Sequence, residues 1–109
     1  MDINGKVVAI TGGAQGLGLA MARVFAEGGA RLALIDINAD VLASARDALQ
    51  ETGATIETFV ANVADEESVI QTFDAIVDTF GELNGLINNA GITRDGLMLK
   101  VKTGRWSKR

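Results

Sequence analysis

Thr11-Gly12-Gly13-Ala14-Gln15-Gly16-Leu17-Gly18 is the stretch on which the reading of this chain turns. Before it runs Lys6-Val7-Val8-Ala9-Ile10-Thr11, a β-branched, apolar segment that predicts a strand buried on both faces. After it, Leu17, Ala20, Met21, Val24 and Phe25 recur at the spacing of one helix face. A strand that turns through glycines into a helix leaves the helix N-terminus open, with free N–H groups and a partial positive charge. In the spacing Gly12-x-x-x-Gly16-x-Gly18, each glycine has a physical use. Gly12 suits a tight turn off the strand, Gly16 lets backbone approach a pyrophosphate, and Gly18 lets the helix pack closely on the strand. This is not a Walker loop, because no Gly-Lys-Ser/Thr follows Gly12 at the required distance.

Strands and helices continue to alternate along the chain. Arg31 to Asp36 reads as a second strand, entered after Gly28-Gly29 stops the first helix. Asn38 is placed to cap a helix with Val41, Leu42, Ala45, Ala48 and Leu49 on its apolar face, and Gly53 stops it. Thr55 to Val60 is a third strand. Asp65 caps a third helix, with Glu66 and Glu67 in the first turn, where the dipole favours them. Its apolar face is Val69, Ile70, Phe73, Ile76, Val77 and Phe80, and Gly81 stops it. Leu83 to Ile87 is a fourth strand running into Asn88-Asn89-Ala90-Gly91. The order βαβαβαβ implies an α/β fold with parallel pairing, right-handed crossovers and helices on both faces.

Composition narrows the chemistry. The 109 residues hold no Tyr, His, Cys or Pro, and 48% are apolar. Zinc sites of the Cys/His kind, a thiolate nucleophile, an imidazole base and a phenolic acid are all excluded, and no metal site is expected. No basic leader or long apolar run is visible, so a cytoplasmic protein without membrane contact is expected. The net charge is −4, unevenly spread: Lys100 to Arg109 hold half of the ten basic side chains, and all 14 acidic ones precede them. A short basic end with one aromatic, Trp106, on an acidic body reads as a solvated tail, and no nucleic-acid partner is expected.

Asp36 gives the glycine loop its context. It closes the second strand, where a carboxylate can accept hydrogen bonds from an adenosine ribose. It would repel a 2′-phosphate. No Arg or Lys lies between Gly12 and Gly18, and apolar Ile37 follows Asp36. The cofactor expected from these residues is NAD rather than NADP.

Thr11-Gly12-x-x-x-Gly16-x-Gly18, Asn62-Val63 and Asn88-Asn89-Ala90-Gly91 together resemble the short-chain dehydrogenase/reductases. Asn88 to Asp95 looks most like the 3-oxoacyl-[acyl-carrier-protein] reductase branch. The resemblance runs from about Asn4 to about Lys102. It implies a Rossmann-type, doubly wound parallel sheet, present here as an incomplete N-terminal half with strand order 3-2-1-4. It implies that Gly12, Gln15, Gly16, Leu17 and Gly18 line the pyrophosphate. Asp36, with Ile37 beside it, would hold the ribose, and Asn62 and Val63 would flank the adenine. Asn89, Ala90 and Gly91 would approach the cofactor riboses. Many members of that branch use NADPH and carry a basic residue in the loop, where this chain has Gln15.

The family's hydride transfer relies on a Tyr-x-x-x-Lys pair, an upstream Ser and an Asn. With no Tyr in the chain, no catalytic residue is assigned, and the chain by itself is expected to be inactive. Residues 1–102 read as the N-terminal half of an NAD(P)-binding domain, and 103–109 as a basic tail outside the family pattern. A shifted reading frame closed by a stop would produce such an ending, and so would a genuine alternative terminus. The fourth strand would be an open edge, with the family's oligomer interface missing and association through that edge as the alternative. Two other readings stand beside the dehydrogenase: a non-catalytic interaction fragment of such an enzyme, and an S-adenosylmethionine methyltransferase. The methyltransferase class also pairs a glycine loop with an acid closing strand two.

Overall fold

Val7–Thr11 form β1, buried along its whole length. Its side chains alternate between two apolar clusters. Val8 and Ile10 join one, Val7 and Ala9 the other. A strand buried this way needs cover on both sides. The computed structural model, which describes residues 2–89, 100–102 and 105–107, shows how that cover is supplied. β1 is followed by α1 (Gly16–Glu27), β2 (Arg31–Asp36), α2 (Ala39–Leu49), β3 (Ile56–Val60), α3 (Glu66–Phe80) and β4 (Gly85–Asn88). These four strands pair in parallel, as their alternation with helices implied, in the order β3-β2-β1-β4 that the family resemblance implied. The outer edge of β4 pairs with no other strand among the described residues.

The helices divide between the two faces. Ala22 and Ala26 of α1 and Leu42, Ala45 and Leu49 of α2 pack over Ile10, Leu32 and Leu34. Phe73, Ile76 and Val77 of α3 pack over Ala9, Ala33 and Ile35 on the other side. Ile10 and Leu34 are wholly buried, and each such side chain stabilises the fold by about 1.5–3 kcal/mol. Asn38 caps α2, its side chain accepting from the N–H groups of Asp40 and Val41, and Asp65 caps α3 by accepting from Glu67.

Three local expectations are corrected. Most of the face of α1 read as apolar does not pack: Leu17 and Val24 are 63% and 67% exposed and Ala20 is exposed, while Phe25 from that face does pack against the core. The buried residues are Gly18, Ala22 and Ala26, because only small side chains let the helix lie this close to the sheet. β4 begins two residues later than expected, at Gly85. Leu83 turns into the core, and Asn84 pairs with Val7 before regular pairing begins: its N–H donates to the Val7 carbonyl at 2.8 Å, and its Oδ1 accepts from the Val7 N–H at 2.7 Å. A short antiparallel pair, β5 (Lys100–Lys102) and β6 (Arg105–Ser107), forms where no strand was read.

At the N-terminal end of the sheet, Arg31 ties several segments together. Its guanidinium donates to the Gly5 carbonyl and to Glu82 Oε2 at 2.7 Å, and lies 5.9 Å from the centre of the Phe80 ring. Hydrogen bonds from Arg31, first, and then from Asn84 hold the Glu82 carboxyl below the ordinary glutamate value. The charged form is therefore the one the fold favours. Its contribution is present above the ordinary value and is lost as pH falls through the lowered one. Replacing Glu82 by Gln should lower the urea midpoint slightly at neutral pH, and the gap to the parent should close on acidification; a gap independent of pH would contradict this. Asn84→Ala leaves the buried Val7 N–H without its partner, which should cost about 1–3 kcal/mol in a urea melt.

Candidate functional site

The C-terminal ends of the four strands are stitched to one another by hydrogen bonds from the loops that leave them. The Gly12 N–H donates to the Ile35 carbonyl at 2.7 Å, joining the ends of β1 and β2. The Ala61 N–H donates to the Asp36 carbonyl at 3.0 Å, joining β2 and β3. On the other side, the buried Thr11 hydroxyl donates to Asn88 Oδ1 at 2.9 Å and accepts from the Asn89 N–H at 2.9 Å. Asn89 Nδ2 in turn donates to the Gly12 carbonyl at 3.2 Å. The result is one continuous polar rim, with the glycine loop at its middle.

The loop is shaped by what its glycines lack. A Cβ on Gly18 would strike the Gly12 carbonyl oxygen and come within 2.8 Å of Asn89 Nδ2, so α1 can seat itself over β1 only with glycine there. Gly16 differs: its φ is +58°, and nothing lies within 4 Å of where its Cβ would be. Its open side is a place where another molecule can approach the backbone. Gln15 precedes α1 in extended conformation and its side chain makes no cap, while α2 and α3 are both capped. The first turn of α1 also holds no acidic residue. Its N–H groups and the positive end of its dipole are thus available to an anion.

The other described residues singled out in the sequence lie in the first turn of α1, at the C-terminal ends of the strands or in the loops that leave them. Leu17 and Ile37 are exposed, at 63% and 66%. Asp36 is half-buried at the end of β2, and its Oδ1 accepts from the Asn38 N–H at 3.2 Å. Asn62 is exposed in the loop after β3, and its Oδ1 accepts within that loop from the Ala64 N–H at 3.0 Å, so its Nδ2 donor is the part left for a ligand. Val63 is half-buried against the α3 side of the core. Asn89 is half-buried and spends its amide on the Gly12 carbonyl. Ala90 and Gly91 lie outside the described residues. Thr11 and Asn88 were not singled out as site residues, yet they hold β4 to the loop. The available signal was a hydroxyl closing an otherwise aliphatic strand.

Among the described residues, no group of three or more His, Cys, Asp or Glu side chains could hold a metal ion, and no helix is long and apolar enough to cross a membrane.

A parallel sheet in this order, a glycine turn opening on an uncapped helix and an acid closing β2 accompany a direct family match: residues 6–109 match the short chain dehydrogenase family. The chain belongs to that family. It is 35% identical to the 3-oxoacyl-[acyl-carrier-protein] reductase of Thermotoga maritima over 106 residues, covering 97% of this chain and 43% of the relative. Its structure is similar to that of an NAD+-bound xylitol dehydrogenase, with a TM-score of 0.80 and 40% identity, covering 84% of this chain and 35% of that one. It is also similar to the L-sorbose reductase of Gluconobacter frateurii in complex with NADPH, with a TM-score of 0.78 and 36% identity, covering 84% and 36%. The chain therefore spans less than half the length of these dehydrogenases and reductases. Family membership decides against the methyltransferase reading. The neighbours include NAD+-bound and NADPH-bound structures, so both dinucleotides occur on this architecture.

The two glycines should separate stability from binding. Gly18→Ala should unfold the loop or lower stability by several kcal/mol, about the scale of a severe steric insertion. Gly16→Ala carries only the strain of positive φ, about 1–2 kcal/mol, and should stay folded while dinucleotide binding is lost. Circular dichroism melts beside a dinucleotide titration would test this, and equal loss of fold in both variants would contradict it.

Proposed function

We propose that this chain is the adenosine-binding portion of an NAD(H)-dependent oxidoreductase of the short chain dehydrogenase family. The observation that carries the reading is the open side of Gly16 beside the uncapped N-terminus of α1, with Asp36 at the next strand end. These residues fit a dinucleotide. Gly12, Gln15, Gly16, Leu17 and Gly18 would bind the pyrophosphate through backbone N–H groups. Asp36 would accept hydrogen bonds from the adenosine ribose, with Ile37 beside it. Asn62, through its amide group, and Val63 would flank the adenine. Asn89, whose Nδ2 holds the loop's carbonyl in place, would approach the cofactor riboses together with Ala90 and Gly91.

NAD is preferred on electrostatic grounds. The Asp36 carboxylate would face a 2′-phosphate with like charge, and the loop from Gly12 to Gly18 has no cation to offset it. A bound nicotinamide would supply the hydride chemistry of the family, between a carbonyl and an alcohol. The 109 residues contain no Tyr to move the accompanying proton, so binding without turnover is the activity proposed for them. Residues 1–102 are proposed as the dinucleotide-binding unit, with 103–109 outside it.

Titration of the chain with NAD+ and NADP+, followed by circular dichroism melts, tests the reading. NAD+ should raise the melting temperature more than NADP+. Asp36→Ala removes hydrogen bonds to a charged acceptor and should weaken NAD+ by roughly ten- to a hundredfold, relaxing the preference. No stabilisation by either dinucleotide would overturn the proposal.

A further inference from the structure

The Asp36 carboxylate is not left to find its own orientation. Its Oδ1 accepts from the backbone N–H of Asn38 at 3.2 Å. Asn38 is itself held by its own side chain, whose Oδ1 accepts from the N–H groups of Asp40 at 2.9 Å and Val41 at 3.2 Å. The capping bonds hold Asn38 in extended backbone, with φ −106° and ψ 109°. That conformation aims its N–H back at Asp36. The Asp36 carbonyl is meanwhile bound by the Ala61 N–H at 3.0 Å. The acid is thus fixed from both ends: through its main chain by the β3 exit, and through its side chain by the start of α2. One carboxylate oxygen is anchored in this way.

We infer that Asn38 is a positioning residue for nucleotide choice. By capping α2 it directs its own N–H onto Asp36 and so holds that carboxylate where a ribose hydroxyl is accepted and a 2′-phosphate is repelled. The inference rests on the proposed NAD(H) site and extends it to a residue outside the set proposed to hold the dinucleotide. Two consequences follow from the geometry. A carboxylate ordered before binding loses less freedom on binding, which strengthens NAD+. A carboxylate that cannot swing aside keeps its charge against a 2′-phosphate, which weakens NADP+. Loss of the cap should therefore move the two affinities in opposite directions, whereas general loosening of the fold would weaken both.

The test measures NAD+ and NADP+ affinities by calorimetric titration of the full chain and its variants, with the melting temperature of each. Asn38→Ala should weaken NAD+ by about two- to tenfold, the cost of ordering one side chain, and lower the NAD+/NADP+ affinity ratio. Asn38→Ser, which keeps a capping oxygen, should restore the ratio. Asn84→Ala, at the opposite end of the strands, should lower stability and leave the ratio unchanged. In an Asp36→Ala background, Asn38→Ala should have no further effect on the ratio. An unchanged ratio in Asn38→Ala, while Asp36→Ala still relaxes it, would overturn the role of Asn38 and leave the NAD(H) site standing. An Asn84→Ala variant that shifts the ratio equally would also overturn it. A parent chain that binds neither dinucleotide would remove both.

Discussion

The approach of α1 to the end of β1, at Gly18 against the Gly12 carbonyl, is the contact on which the rest of the structure depends. A helix that leaves a buried strand must either stand off from it or come down onto it. Here Gly18, Ala22 and Ala26 present so little side chain that it comes down. The Gly12 carbonyl is then enclosed between Gly18 and Asn89, and its hydrogen bond from Asn89 Nδ2 keeps it satisfied. The turn of the loop, the seating of α1 and the attachment of β4 are parts of one packing arrangement.

The two ends of the sheet are built differently. At the N-terminal end, Arg31, Glu82 and Asn84 close off the strands with ion pairing and hydrogen bonds. At the C-terminal end the same kinds of group are turned towards loops, and the helix mouth is left without a cap. A helix N-terminus without a side-chain partner retains its dipole for something else. The other two helices spend theirs on Asn38 and Asp65. The one that does not is the one next to Gly16.

Much of this was legible in the residues. Parallel pairing and helices on both faces followed from the alternation of apolar runs and helical periods, because parallel strands need crossovers and crossovers have one hand; the strand order followed from the family resemblance. Asn38 and Asp65 announced their helices, since a short polar side chain before an apolar period has a specific use. The apolar face of α1 was misread for a physical reason. Periodicity weights large side chains, while a helix pressed onto a sheet buries its small ones, leaving Leu17 and Val24 outside. Asn84 was illegible because its role depends on Val7, 77 residues earlier in the chain.

The sequence by itself determined the class of fold, the place of the glycine turn and the acid that closes β2, since each rests on local spacing or on residue types that admit few uses. Only the tertiary structure decided what those residues touch. It turned Asn89 inwards onto the Gly12 carbonyl, made the Thr11 hydroxyl the joint between β1 and β4, and set the Asn38 N–H on Asp36. The reason is that these bonds join the ends of different strands. Where one strand end lies against another is settled by the packing of the whole sheet.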